Sequence, residues 1–169
     1  MLNKYTLLLY ILIFVQIIFS SFNSNYTFND SYIYPTDTTY ISSEFGYRDL
    51  FGKTNFHSGV DFPMPRGSKV YATNDGVIKS CGFINGYGIS VVILHPNGYQ
   101  SLYAHLDENV NDFVKIGLSV KKGDVIANVG PKYLSNGILN GLTTGPHLHF
   151  TIYDENSKLI NPISLNLQI

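Results

Sequence analysis

Five histidines punctuate the chain, at positions 57, 95, 105, 147 and 149, and their settings differ. His57 stands four residues before Asp61, with Gly59 between them. The glycine lets the chain bend so that an imidazole and a carboxylate reach one ion. His147 and His149 are two apart in a run that alternates apolar and polar residues. On a strand both rings then leave the same face, about 6–7 Å apart by the strand rise. One histidine, one aspartate and a second histidine form the donor set of a catalytic zinc, with three protein ligands and a fourth position for water. Such a zinc brings the pKa of its water to about 7 and polarises a carbonyl. Spacing leaves open which of His147 and His149 takes the metal; the other stands near enough to act on the water.

His105 closes the run 102–105. By strand parity it shares a face with Tyr103 and Ser101, away from Leu102 and Ala104, and a histidine beside such a site suits general acid or base work. His95 precedes the turn-like Pro96-Asn97-Gly98, and that position accounts for it without chemistry. Cys81 is the single cysteine, so no internal disulfide forms; in the run 77–81 it reads as a small, semi-buried apolar residue. A non-haem iron oxygenase uses the same ligand types. The two further histidines and an export-type leader count against that reading.

The elements that must position these groups are short strands. Fifteen glycines and seven prolines interrupt the chain, and no long apolar helical stripe is present. Residues 89–94 are nearly all apolar and β-branched, which suits a strand buried on both faces. Residues 99–105 come after the Asn97-Gly98 turn, predicting a hairpin with 89–94. Strands are also predicted over 114–120, 124–129 and 147–153. In the last, Leu148, Phe150 and Ile152 share one face, while His147, His149, Thr151 and Tyr153 share the other. The domain is all-β with long loops.

Residues 1–21 open with Lys4 and an apolar stretch over 7–19 broken only by Gln16. This is the pattern of a signal peptide, or of a thin membrane anchor once residues 5 and 6 are added. Either places the remainder of the chain outside the cytoplasm. Residues 22–39, rich in Asn, Ser, Thr and Tyr, read as a linker or loosely packed arm, and 40–169 as the functional domain. The net charge of -1, with no basic patch, argues against a nucleic-acid partner.

In order along the chain come Glu44-Phe45-Gly46-Tyr47-Arg48, His57-Ser58-Gly59-Val60-Asp61, Asp75-Gly76-Val77, Gly86-Tyr87-Gly88, Tyr103-Ala104-His105-Leu106, Lys121-Lys122-Gly123 and Gly145-Pro146-His147-Leu148-His149-Phe150. Over residues 40–163 this resembles the lysostaphin-type zinc metallopeptidases of bacterial cell-wall turnover. The resemblance implies a compact antiparallel, barrel-like β-domain with a loop-walled groove. It implies Zn2+ on His57, Asp61 and His149, with His105 and His147 activating water and stabilising or protonating the reacting amide. The implied partner is a peptidoglycan peptide, cut in its stem or cross-bridge by a monomeric enzyme. The other reading is a non-catalytic relative that binds wall or activates another hydrolase; such relatives usually lack one of the five groups, and all five are present here. Thr151 stands where glutamate is common in the family, Ile89 where asparagine is frequent, and 131–144 is an enlarged loop holding Tyr133, Asn136 and Asn140. These departures are expected to leave the five key residues untouched. The loop is expected to form one groove wall, and Tyr47 and Arg48 to line the groove.

Overall fold

The structure is a computed structural model that describes residues 31–50 and 52–169. The leader or anchor over 1–21, its apolar helix, and the first part of the linker lie outside the described residues. Among the described residues no helix is long and apolar enough to cross a membrane.

Eleven strands are described: β1 (Gly46–Leu50), β2 (Lys53–His57), β3 (Val60–Phe62), β4 (Lys69–Tyr71), β5 (Gly76–Ile84), β6 (Gly88–Leu94), β7 (Gln100–Ala104), β8 (Ser119–Val120), β9 (Val125–Asn128), β10 (Leu148–Tyr153) and β11 (Leu159–Ile160). All paired strands are antiparallel. The main sheet runs β11-β10-β7-β6-β5-β8, with β3 on the far part of β10; β1-β2 and β4-β9 are separate ribbons. The expectation of an all-β antiparallel domain holds. The barrel does not, because β8 and β11 end the order without pairing each other and the sheet stays open.

The predicted hairpin forms, with Val91 opposite Tyr103 and Leu94 opposite Gln100. The predicted strand over 114–120 shrinks to Ser119–Val120. Gly117 takes φ 86° inside a turn closed by the Leu118 amide on the Lys115 carbonyl, so the apolar alternation there is broken by a left-handed residue.

Both faces of the main sheet are used. One face carries Val91, Ile93, Tyr103, Leu148, Phe150 and Ile152 into the large core beneath Phe62, Val70 and Ile126. The other carries Val92, Leu102 and Ala104 in a smaller cluster edged by Tyr87 and Tyr153. Burying each large apolar side chain stabilises the fold by about 1.5–3 kcal/mol, so β10 and β7 form a stiff floor.

The stretch read as a linker is, in its described part, packed. Tyr32 is buried, its ring packs edge-on against the His95 ring with centroids 5.3 Å apart, and its hydroxyl meets Asn97. The Ile33 amide donates to the Thr73 carbonyl and the Tyr34 amide to the Gln168 carbonyl. Within the described residues the stretch thus packs, over 31–37, against the body that follows. Its polar composition conceals this because main-chain hydrogen bonds and two tyrosines do the anchoring.

Candidate functional site

His57 ends β2, Asp61 is the middle of β3, and His149 is the second residue of β10. The turn between His57 and Asp61 runs against β10, so close that a Cβ on Gly59 would fall 2.2 Å from the Phe150 carbonyl oxygen. Gly59 is therefore needed for close approach rather than for bending: its missing side chain lets the β1-β2 ribbon dock on the main sheet. β3 pairs with β10 in the register Asp61 opposite His149, which sets the carboxylate beside the ring.

Three ligand atoms meet at this junction. His57 Nε2 lies 3.1 Å from Asp61 Oδ1, His149 Nδ1 lies 2.9 Å from the same oxygen, and the two ring nitrogens are 3.0 Å apart. The opposite ring nitrogens are engaged elsewhere: His57 Nδ1 with the Glu44 carbonyl at 2.8 Å, and His149 Nε2 with Thr151 Oγ1 at 2.9 Å. With those nitrogens protonated, three lone pairs point at one spot and repel. A divalent cation turns that repulsion into attraction. Zinc bonds of 2.0–2.2 Å hold tetrahedral ligand atoms roughly 3.4 Å apart, a few tenths of an ångström wider than this triangle. His57 and His149 are buried, and the donor set fits zinc. Burial pushes the Asp61 carboxyl up, but the close approach of the His147, His149 and His57 rings outweighs it and holds the group well below the ordinary carboxylate range. The second carboxylate oxygen faces Arg48, 3.6 Å away.

His147 and His105 flank the triangle, ring centroids 4.8 Å apart. His147 Nδ1 donates to the Gly145 carbonyl at 2.9 Å, and Nε2 lies 3.5 Å from Asp61 Oδ1. Burial opposes charge on His147, yet the Asp61 carboxylate prevails and the pKa is raised. His105 is pushed down to about 4, first by burial and then by the neighbouring His147. Its Nδ1–H donates to the Asn140 carbonyl at 2.7 Å, so the neutral ring keeps its Nε2 lone pair free.

Strand parity puts His105 on the wrong face. On β7 it is Ala104 that lies opposite His149, while Tyr103 lies opposite Phe150 in the core. A continued strand would send His105 into the core with Tyr103. Instead His105 takes φ 59°, the left-handed region, and the ring turns back to lie 5.9 Å from His149. A non-glycine residue held there is strained by about 1 kcal/mol or more, and such residues cluster at functional sites. The hydrogen bonds on either side hold it: the His105 amide donates to Tyr87, and its carbonyl accepts from Gly130.

Two expectations about the departures fail. Thr151 touches His149 directly. Asn140, from the enlarged loop, holds His105 and is fully buried; its side chain also accepts from the Ile89 amide and donates to the Leu106 and Pro131 carbonyls. A signal for Thr151 was present in the strand period, two residues beyond His149. None existed for Asn140, whose side-chain partners lie nine to fifty-one positions away.

The groove has two lobes meeting at the triangle. One is apolar, walled by Phe56, Tyr87 and Leu142; the other is polar, with Ser42, Ser43, Asp49 and Thr144. Arg48 lines both. Leu142 brings the 131–144 loop to the wall, as expected. Tyr47 instead is exposed and packs edge-on against Phe56. His95 lies apart from the site, buried and fully partnered.

Residues 55–162 match the model of Peptidase family M23. The chain is 39% identical over 137 residues to the DD-carboxypeptidase/endopeptidase Mpg of Neisseria meningitidis serogroup B, covering 80% of this chain and 29% of Mpg. A zinc-containing peptidase from Vibrio cholerae superposes with a TM-score of 0.64 at 33% identity, over 78% of this chain and 39% of that one. The catalytic domain of lysostaphin from Staphylococcus simulans superposes at 0.61 with 29% identity, over 75% of this chain and 92% of that one. The chain spans less than a third of the length of the curated relatives it matches.

Proposed function

The chain belongs to peptidase family M23, whose members are zinc metallopeptidases, and on that premise we propose that it is a peptidoglycan endopeptidase with His57, Asp61 and His149 as zinc ligands and His105 and His147 as the catalytic pair. The observation that carries this is the convergence of three lone pairs flanked by two histidines of opposite tendency.

Bound zinc supplies Lewis acidity toward a carbonyl and toward water. The protein's own groups divide the proton work. His105, neutral with Nε2 free, accepts the proton of the attacking water. His147, with its Nε2 proton favoured by Asp61, hydrogen-bonds the reacting carbonyl oxygen and delivers a proton to the leaving amine. Each transfer of this kind contributes typically 10²–10⁴-fold. The Asn140 carbonyl fixes the His105 tautomer and the Gly145 carbonyl that of His147, so neither ring must reorient between steps.

The scissile bond we assign is a D,D peptide bond of wall peptides, as the name of the neisserial relative suggests. The apolar lobe beside Phe56, Tyr87 and Leu142 suits an apolar side chain such as alanine's, and the polar lobe suits the amide-rich continuation of a stem. Such a substrate lies outside the cytoplasm. Residues 1–21 then serve as the export leader or anchor, and 40–169 with the packed arm as the catalytic body.

The test is digestion of purified peptidoglycan by the zinc-loaded protein, followed by mass spectrometry. New amino termini at a D,D bond, abolished by a chelator and restored by zinc, support the reading. Bound zinc without cleavage of any wall type overturns it in favour of a wall-binding or hydrolase-activating role.

A further inference from the structure

Each zinc ligand proposed above has an outer partner, and the three partners differ in kind. His57 Nδ1 rests on a main-chain carbonyl, that of Glu44. Asp61 Oδ2 faces the Arg48 guanidinium. His149 Nε2 rests on the hydroxyl of Thr151, at 2.9 Å, whereas the nearest hydroxyl to His57 Nδ1, that of Ser43, stands off at 3.5 Å.

Thr151 has no surface exposure and lies at the centre of β10, opposite Leu102. Its Oγ1 sits 2.7 Å from where a Cβ on Gly59 would be, so the turn that carries His57 and Asp61 closes directly over it. A β-branched side chain in a strand has few χ1 choices, and the hydroxyl is thus preset toward the ring. Strand period two puts Thr151 and His149 on one face. Nothing else about the position calls for a hydroxyl: the surroundings on that face are Leu102, Ala104 and Tyr153.

Resting on the zinc reading, we propose that Thr151 is the positioning residue of the metal site, accepting the Nε2 proton of His149 and thereby presenting Nδ1 to the zinc. Without that acceptor the ring turns about its own axis and exchanges tautomers, and the lone pair leaves the triangle part of the time. Outer partners of ligand histidines are worth 10–100-fold in metal affinity when removed.

The experiment measures zinc affinity by competition with a chromophoric chelator on the full chain, for the wild type, T151V, T151S and T151A. T151V is nearly isosteric and lacks the hydroxyl; its affinity should fall 10–100-fold. T151S, which keeps the hydroxyl, should stay within about threefold of the wild type if the outer partner carries the effect. A purely packing role would give the reverse order, T151V binding zinc like the wild type and T151S weakened, because valine keeps the volume and serine does not; the thermal midpoints of the zinc-free variants check that each is folded at the titration temperature. If T151V folds poorly, T151A gives the same reading by removing the hydroxyl without a new methyl. Equal zinc affinity for T151V or T151A and the wild type overturns the proposal, as does equal weakening of T151V and T151S. A wild type that binds no zinc would instead bring down the metal reading itself, so the two failures are separable.

Discussion

Two buried histidine clusters sit at opposite ends of β7, and they differ in how their lone pairs are used. At one end His95 is closed: Nδ1–H donates to the Asp75 carbonyl at 2.7 Å, Nε2 accepts from Ser101 Oγ at 2.8 Å, and Ser101 Oγ in turn meets the Tyr103 hydroxyl at 3.0 Å, which accepts from the Thr73 amide. Every acceptor there has a donor. At the other end His57, Asp61 and His149 aim three acceptors at one point with no donor among them. Burial is similar in both, at 2% exposure for His95 and 4–6% for His57, His105 and His149. Burial of a histidine therefore says little about function. The balance of donors and acceptors says much more, because an unmatched buried acceptor is costly unless a ligand completes it.

The largest effect should come from breaking the open cluster. His57→Ala, Asp61→Ala or His149→Ala should lose stoichiometric zinc and all measurable hydrolysis, read by metal analysis and by release of new amino termini. Removing Asp61 also takes away the carboxylate that faces Arg48. A variant of this set that keeps one zinc per chain would break the comparison, since the three acceptors would not be a single site. Next is His105→Ala, outside the triangle but touching it. Zinc should stay bound while kcat falls 10²–10⁴-fold, the range of a lost general base. A drop in zinc content equal to that of His57→Ala would make His105 a ligand instead.

How far the sequence carried this reading depends on which physical rule governs each residue. That His57 and Asp61 meet a histidine of the 147–149 pair was legible because each lies in a short local pattern that survives folding, H-x-x-x-D at a tight turn and H-x-H on a strand; which of the two histidines completes the triangle was not in the spacing, and only the family resemblance implied His149. The strand faces of β10 were legible for the same reason. The side on which His105 acts was not, because one left-handed residue reverses parity and no side-chain pattern announces it. Asn140 was hidden because its partners are gathered only once the loop folds over the end of β7. The anchoring of residues 31–37 was hidden because it relies on main-chain hydrogen bonds, which composition does not record.

The closed cluster yields smaller and purely structural effects. His95→Ala leaves the Asp75 carbonyl and the Ser101 hydroxyl without their partner and opens a cavity beside Tyr32. It should cost about 2–4 kcal/mol in urea unfolding. Zinc content and kcat per folded molecule should stay at wild-type values, because no hydrogen bond of the site runs through His95. A loss of kcat in the folded variant would show that the two clusters communicate along β7.

The smallest effect is the pH dependence of stability, and its sign comes from the same contrast. Burial lowers the pKa of His95 in the fold, outweighing the Asp75 carbonyl, so the folded protein holds the ring neutral. The unfolded chain takes up a proton near the ordinary value of about 6.5. Stability from this neutral ring is thus fully present above that pH and is lost as pH falls toward the folded value. One proton of difference gives a slope of at most about 1.4 kcal/mol per pH unit. His95→Gln keeps a polar side chain but cannot titrate. Between pH 7.5 and 5 its unfolding free energy should therefore fall less steeply than that of the wild type, measured on zinc-free protein so that metal release adds nothing. Burial lowers the pKa of His105 and His149 in the same direction, while that of His147 is raised. These contributions are common to both proteins and cancel in the difference. Parallel curves would mean that His95 is protonated in the fold, with Nε2–H donating to Ser101 Oγ instead of accepting from it.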